Sequence, residues 1–265
     1  DRRVLRITAV SIVLGALAAL IASVLTALIG LVTNLAFYGR WSTAFSSPAD
    51  AVPHLGWWVV LIPVAGGLIV GVMARWGSRA IRGHGIPEAM EQVLLNESKI
   101  PPRITFLKPI SSAISIGTGG PFGAEGPIIA TGGALGSFIG QVLKVTGSER
   151  KVLLAAGAAA GMAAVFSAPI AAVVLAVELL LFELRPRSLI PVALACVAAT
   201  GMRYLLQGTT PVFQMPALAA PGAMALFLYV LLGALIGVVS VWTTRIVYGI
   251  EDWFEKLPIH WMWWP

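Results

Sequence analysis

Long apolar stretches separated by short groups of charged residues dominate the chain. Charge-free runs cover Ile7 to Gly39, Ala51 to Ala74, Gly126 to Leu143, Val152 to Val177 and Tyr204 to Thr244. About 20 apolar residues in helical form cross a bilayer core, so several of these runs are long enough to span one. The pattern predicts helices over Val4 to Tyr38, Trp57 to Ile81, Ile86 to Leu95, Leu107 to Ile116, Gly126 to Leu143, Glu149 to Val165, Ala168 to Leu184, Ser188 to Leu206 and Met224 to Glu255. At about 1.5 Å per residue, Ile86 to Leu95 and Leu107 to Ile116 cover only about half of a ~30 Å core and read as half-helices.

A half-helix leaves non-helical backbone at membrane depth. Lipid offers that backbone no hydrogen bonds, so the breaks must lie inside protein or beside a polar cavity. They fall at Gly83 to Pro87, Gly117 to Pro127 and Ser167 to Pro169, each with a proline near a helix start, where its missing N–H does no harm. Gly157 and Gly161, and Gly132, Gly136 and Gly140, recur at four-residue spacing and predict close helix packing.

Composition narrows the class. Of 265 residues, 58% are hydrophobic and 11% charged, against about 25% charged in soluble domains. The net charge of +6 comes from Arg and Lys in short groups between apolar runs, which is a topology signal and not a nucleic-acid surface. By the positive-inside rule the N-terminal arm (Arg2, Arg3, Arg6) and Arg75, Arg79 and Arg82 are cytoplasmic, as are Lys99, Arg103 and Lys108, with the Trp41 to Trp57 loop outside. The first apolar run far exceeds the apolar core of a secretion signal. Cys196 stands alone, which excludes a disulfide framework or a cysteine metal site. His54 and His260 sit beside Trp-rich segments without metal-ligand spacing, and Trp57, Trp58, Trp261, Trp263 and Trp264 read as interfacial anchors. No nucleophile–base pair, phosphate loop or zinc signature is present, so the chain does not read as an enzyme.

The breaks carry the candidate chemistry. A glycine-rich break that opens a helix exposes unpaired backbone N–H groups at the positive end of the helix dipole, which favours a partly dehydrated anion. Two such places occur, Gly83 to Pro87 and Gly123 to Pro127. Glu125 lies within the second, and an ionisable residue at membrane depth normally faces a pathway. Deprotonated, it can occupy the site as an internal anion or act as a helix cap; protonated, it loses its charge and releases its hold.

Gly83-His84-Gly85-Ile86-Pro87-Glu88 resembles the GxGIPE signature of the chloride-channel (CLC) family. Gly123-Ala124-Glu125-Gly126-Pro127 resembles its GxEGP signature, and the segment from Gly161 to Pro169 with Glu178 downstream resembles its GxAAxFxAP helix junction. The resemblance runs from about residue 4 to about residue 255. It implies an all-α, polytopic membrane fold with tilted, broken and half-spanning helices. Residues 1–265 would form a single transmembrane anion-transport domain with no soluble domain: the first inverted-repeat half and the opening long helix of the second, incomplete because the family's later pore-tyrosine motif is not in the sequence.

By the same resemblance Glu125 is the gate and proton site, and Gly83, His84, Gly85, Ile86, Gly123 and Gly126 bind the anion. Chloride or a similar small anion is the substrate, with no cofactor and no metal. The partners implied are the lipid bilayer, a second copy in a homodimer and, for an exchanger, protons; nucleic acid is not among them. The location is the cell (inner) membrane, as a multi-pass protein. Three departures qualify these roles. His84 stands where relatives often have serine, and can donate to the anion, add charge or pack at the cytoplasmic mouth. Ala124 stands where many have a cation. Leu179 follows Glu178 where exchangers usually carry an inner proton-transfer glutamate, which points to channel-like conduction. An anion/proton antiporter of the same fold and a non-transporting scaffold or assembly fragment are the alternatives. Glu88 and Glu91 read as solvated charges or local ion pairs, and Glu183 as interfacial.

Overall fold

The computed structural model describes residues 2–258 apart from 82, 84, 211 and 213–219. Arg82, His84, His260, Trp261, Trp263 and Trp264 therefore lie outside the described residues. Among those described, the regular structure is helical. The elements are α1 (Arg2–Tyr38), α2 (Val52–Leu55), α3 (Leu61–Trp76), α4 (Ile86–Leu95), α5 (Ile104–Gly117), α6 (Glu125–Val142), α7 (Gly147–Phe166), α8 (Pro169–Ala176), α9 (Pro186–Gln207) and α10 (Ala223–Glu255). Two compact units are present, Asp1–Val212 and Phe213–Pro265. Four helical stretches among the described residues are long and apolar enough to cross a membrane: α1, Pro48–Trp76, α9 and α10. The 33 residues of α10 extend about 50 Å, more than a bilayer core, which a helix accommodates by tilting.

The first unit is organised around α7, against which α1, α6, α8 and α9 pack. Leu153, Leu154, Ala155, Ala156 and Ala160 are fully enclosed. Lipid tails are as apolar as leucine, so association here depends on how closely backbones approach. Glycine provides that approach. A Cβ on Gly132 of α6 would overlap the carbonyl oxygen of Gly157 on α7, and one on Gly157 would overlap that of Gly132. Gly136 meets the Leu153 carbonyl in the same way, and Gly15 brings α1 onto the Ala195 carbonyl of α9. The small-residue spacing seen in the sequence is therefore a helix-packing device.

Helix ends follow local chemistry. Thr146 and Glu149 form a reciprocal capping box that starts α7 at Gly147. The expected helix from Ala168 to Leu184 is shorter and divided: α8 runs into a π-helical turn, Val177–Leu181, and ends at Phe182 with φ 52°. Beyond it, the Glu183 carboxylate accepts from Ser188 Oγ at 2.6 Å and lies 3.4 Å from Arg185 Nε. The Ser188 hydrogen bond first, and Arg185 with it, hold that carboxyl below the usual carboxylate range.

Two loops are pinned by buried polar groups. At the end of α1, the Asn34 amide donates to the Gly30, Ser42 and Ala44 carbonyls, and its oxygen accepts from Arg40 Nε and Ser46 Oγ. Between α4 and α5, Arg150 Nε donates to the Glu97 carbonyl at 2.9 Å, Ser137 Oγ to that of Ser98 at 2.6 Å and Gln141 Nε2 to that of Ile100 at 3.0 Å.

Candidate functional site

The two glycine-rich breaks meet. Gly83 and Gly85 have φ of 83° and 102°, left-handed settings that favour glycine. They turn the chain so that α4 begins at Ile86. A Cβ on Gly85 would overlap the carbonyl oxygen of Gly126 in the first turn of α6. Two motifs forty residues apart in sequence are thus in backbone contact.

Both helices direct their first turns at this junction. In α6 the Ile128 N–H bonds to the Ala124 carbonyl at 3.0 Å. The N–H groups of Glu125 and Gly126 precede that first helical bond, and Pro127 has none. In α4 the Ala89 N–H bonds to Gly85 O at 3.1 Å, while the Gly85 N–H donates to the Glu88 carboxylate at 2.6 Å. Glu88 is thus half-buried and turned back over Gly83, where a Cβ would overlap its Oε1. The sequence reading left Glu88 as a solvated charge or a local ion pair; it caps α4 and its charge also interacts with Lys108, while Glu91 is exposed. Glu125 is exposed and folds back the same way, with its Oε2 where a Gly123 Cβ would stand.

A groove of about 530 Å³ joins these parts. Gly83 and Ile86 line it on the α4 side, and Gly123, Glu125 and Gly126 on the α6 side. Its wall between them comes from α5, which contributes Lys108, Ser111, Ser112 and Ser115. Lys108 is 3% exposed. Its Nζ donates to the carbonyls of Ile81 and Gly83 at 2.8 Å each, and its charge interacts with Glu88. The sequence reading counted Lys108 among the cytoplasmic topology charges; it is instead a buried cation that holds the first motif in shape. Positions 108, 111, 112 and 115 fall on one face of a helix, so a polar stripe on an apolar half-helix was the available signal.

The third junction, Ser167 to Pro169, does not line the groove. Ser167 has φ 52° between α7 and α8. In the π-helical turn that follows, Glu178 is exposed and Leu179 packs partly buried against the core. That turn contacts α4.

The chain is similar to known proteins. A family model described as voltage gated chloride channel matches residues 66–265. Chloride channel protein CLC-f of Arabidopsis thaliana is 33% identical over 210 residues, 75% of this chain and 25% of that protein. The H(+)/Cl(-) exchange transporter ClcA of Vibrio vulnificus (strain YJ016) is 32% identical over 253 residues, 91% of this chain and 53% of that protein. The solved structure of a slow cyanobacterial Cl-/H+ antiporter superposes with a TM-score of 0.74 and 25% identity, over 97% of this chain and 59% of that one. The chain thus spans from about a quarter to just over half the length of these curated relatives.

Proposed function

The chain belongs to the voltage-gated chloride channel family, and from that premise we propose that it builds one wall of a membrane pathway for chloride or a similar small anion, gated by Glu125. The observation that carries the proposal is the convergence of the α4 and α6 first turns on one groove, with the Glu125 carboxylate at the α6 end. An anion entering this groove exchanges water for the backbone N–H groups and positive ends of two helices. Serine hydroxyls of α5 line its course, and the buried Lys108 charge favours its entry.

Glu125 and the anion compete for the same place. As a carboxylate, the side chain bends over Gly123 and holds the α6 end of the groove. Protonation removes the charge that keeps it there, the side chain leaves, and the anion takes its position. Flux therefore rises as pH falls. Leu179 places an apolar side chain after Glu178, and we read the pathway as channel-like on that ground. The second reading is anion/proton exchange. The exposed Glu178 carboxylate, one residue from Leu179, favours it by offering a proton acceptor beside α4. Assembly as a homodimer belongs to the same proposal.

The full-length protein in liposomes under a chloride gradient, with chloride efflux and proton movement recorded together, tests these readings. Chloride flux without protons supports conduction, and protons driven against their gradient support exchange. Glu125→Gln, which mimics the protonated acid, should abolish most of the pH dependence; retained dependence moves the gate to His84. Absence of any flux leaves a non-transporting scaffold.

A further inference from the structure

At the far end of α6 from Glu125, a pocket of about 180 Å³ opens between the first turns of α1 and the connection from α6 to α7. Arg3 and Arg6 reach it from α1, and Lys144 from the connection. Among the described residues that line it, Glu149 is the acidic one. Its carboxylate accepts from Thr146 N and Oγ1 at 2.9 Å each, and its charge interacts with both arginines. Among the described lining residues three are cations, and the one carboxylate is already engaged. Lys144 has φ 50° at the end of α6, a setting helix ends usually give to glycine, so the chain carries a cation where backbone economy would place none.

The pocket is continuous with a groove of different character. Val10 and Leu143 line both, and from them an apolar cleft of about 460 Å³ runs between α1 and α6 past Val13, Phe138 and Val142. Val13 is 59% and Val142 62% exposed. From Arg6 to Val13 the cleft follows α1 for about 10 Å. A free anion would use only the cationic end, and an apolar partner only the cleft. An amphiphile with a negative head and hydrocarbon tails uses both, and basic pockets between membrane helices suit anionic headgroups.

We propose that the α1–α6 cleft is a binding site for an anionic phospholipid, its phosphate on Arg3, Arg6 and Lys144 and one acyl chain along Val10, Val13 and Val142. The arginines belong to the arm that the positive-inside bias places in the cytoplasm, so the lipid comes from the cytoplasmic leaflet. The inference needs only the membrane setting and is independent of the Glu125 gate.

Native mass spectrometry of the full-length protein in micelles doped with dioleoyl phosphatidylglycerol or dioleoyl phosphatidylcholine tests it. Phosphatidylglycerol should be retained in preference, and Arg6→Gln with Lys144→Gln should lower that preference by about tenfold. Both residues are exposed, so an unchanged melting temperature verifies the fold. Val13→Trp, which fills the cleft and leaves the cations in place, should weaken lipid retention as well. Equal retention of the two lipids, or a preference that survives the double substitution, overturns the proposal. Displacement of the lipid by millimolar inorganic phosphate also overturns it, because the pocket is then a plain anion site.

Discussion

Gly85 and Gly126 lie backbone to backbone, so close that a Cβ on Gly85 would overlap the Gly126 carbonyl oxygen. Gly85→Ala must move one of two main chains and also adopt φ near 102°. A cost of roughly 2–4 kcal/mol is expected. Gly83→Ala also takes on a left-handed φ, near 83°, but meets only the end of the Glu88 side chain and no main chain, so its loss should be smaller. Melting curves of the two purified variants check the order; equal losses would mean that the two breaks do not touch.

Neighbouring glycines of α6 make a second contrast. A methyl on Gly132 has no room beside the Gly157 carbonyl, whereas one on Gly133 would meet Leu154 Cδ2 at an ordinary 3.6 Å. Gly132→Ala should destabilise by roughly 1–3 kcal/mol. Gly133→Ala should be neutral or stabilise by up to about 1 kcal/mol through helix propensity. Thermal unfolding in one detergent reads both, and a stable Gly132→Ala would contradict the described α6–α7 contact.

Lys108 bears on both the fold and the proposed pathway. Lys108→Met removes the donor to the Ile81 and Gly83 carbonyls and takes a positive charge from the groove. A loss of roughly 1–3 kcal/mol per orphaned carbonyl is expected, together with a higher chloride concentration at half-maximal flux. Lys108→Arg keeps the charge but replaces a compact ammonium by a planar fork, so it should restore chloride affinity better than stability. If Lys108→Met leaves the concentration dependence unchanged, the charge does not act on the anion.

Most helices were legible because Gly and Pro mark their ends. Ile86–Leu95 is bounded as the pattern predicts, since Gly85 precedes it and Pro87, with no N–H to donate, suits a first turn. The end of α8 was not legible: residues 168–184 are almost uniformly apolar, and hydrophobicity carries no signal for the change from α to π bonding at Val177. Lys108 was misread because it lies near Arg103 and Lys99 in sequence, and proximity among cations outweighed its spacing from the serines. The capping role of Glu88 was missed because nothing local shows a carboxylate turning back on its own helix start. The two motifs could each be recognised alone. Their contact through Gly85 and Gly126 depends on how α4 and α6 are brought together, which no local pattern states.

The enclosure of α7 has a consequence for how the protein can change over generations. From Ala155 to Ala164 its alanines and glycines are buried, so nearly any larger residue there would collide. The groove lined by Glu125 holds about 530 Å³ of open space and leaves room for variation. Drift should therefore be slowest along a helix that lines no part of the groove, and the proposed site can vary only while that enclosed axis stays fixed.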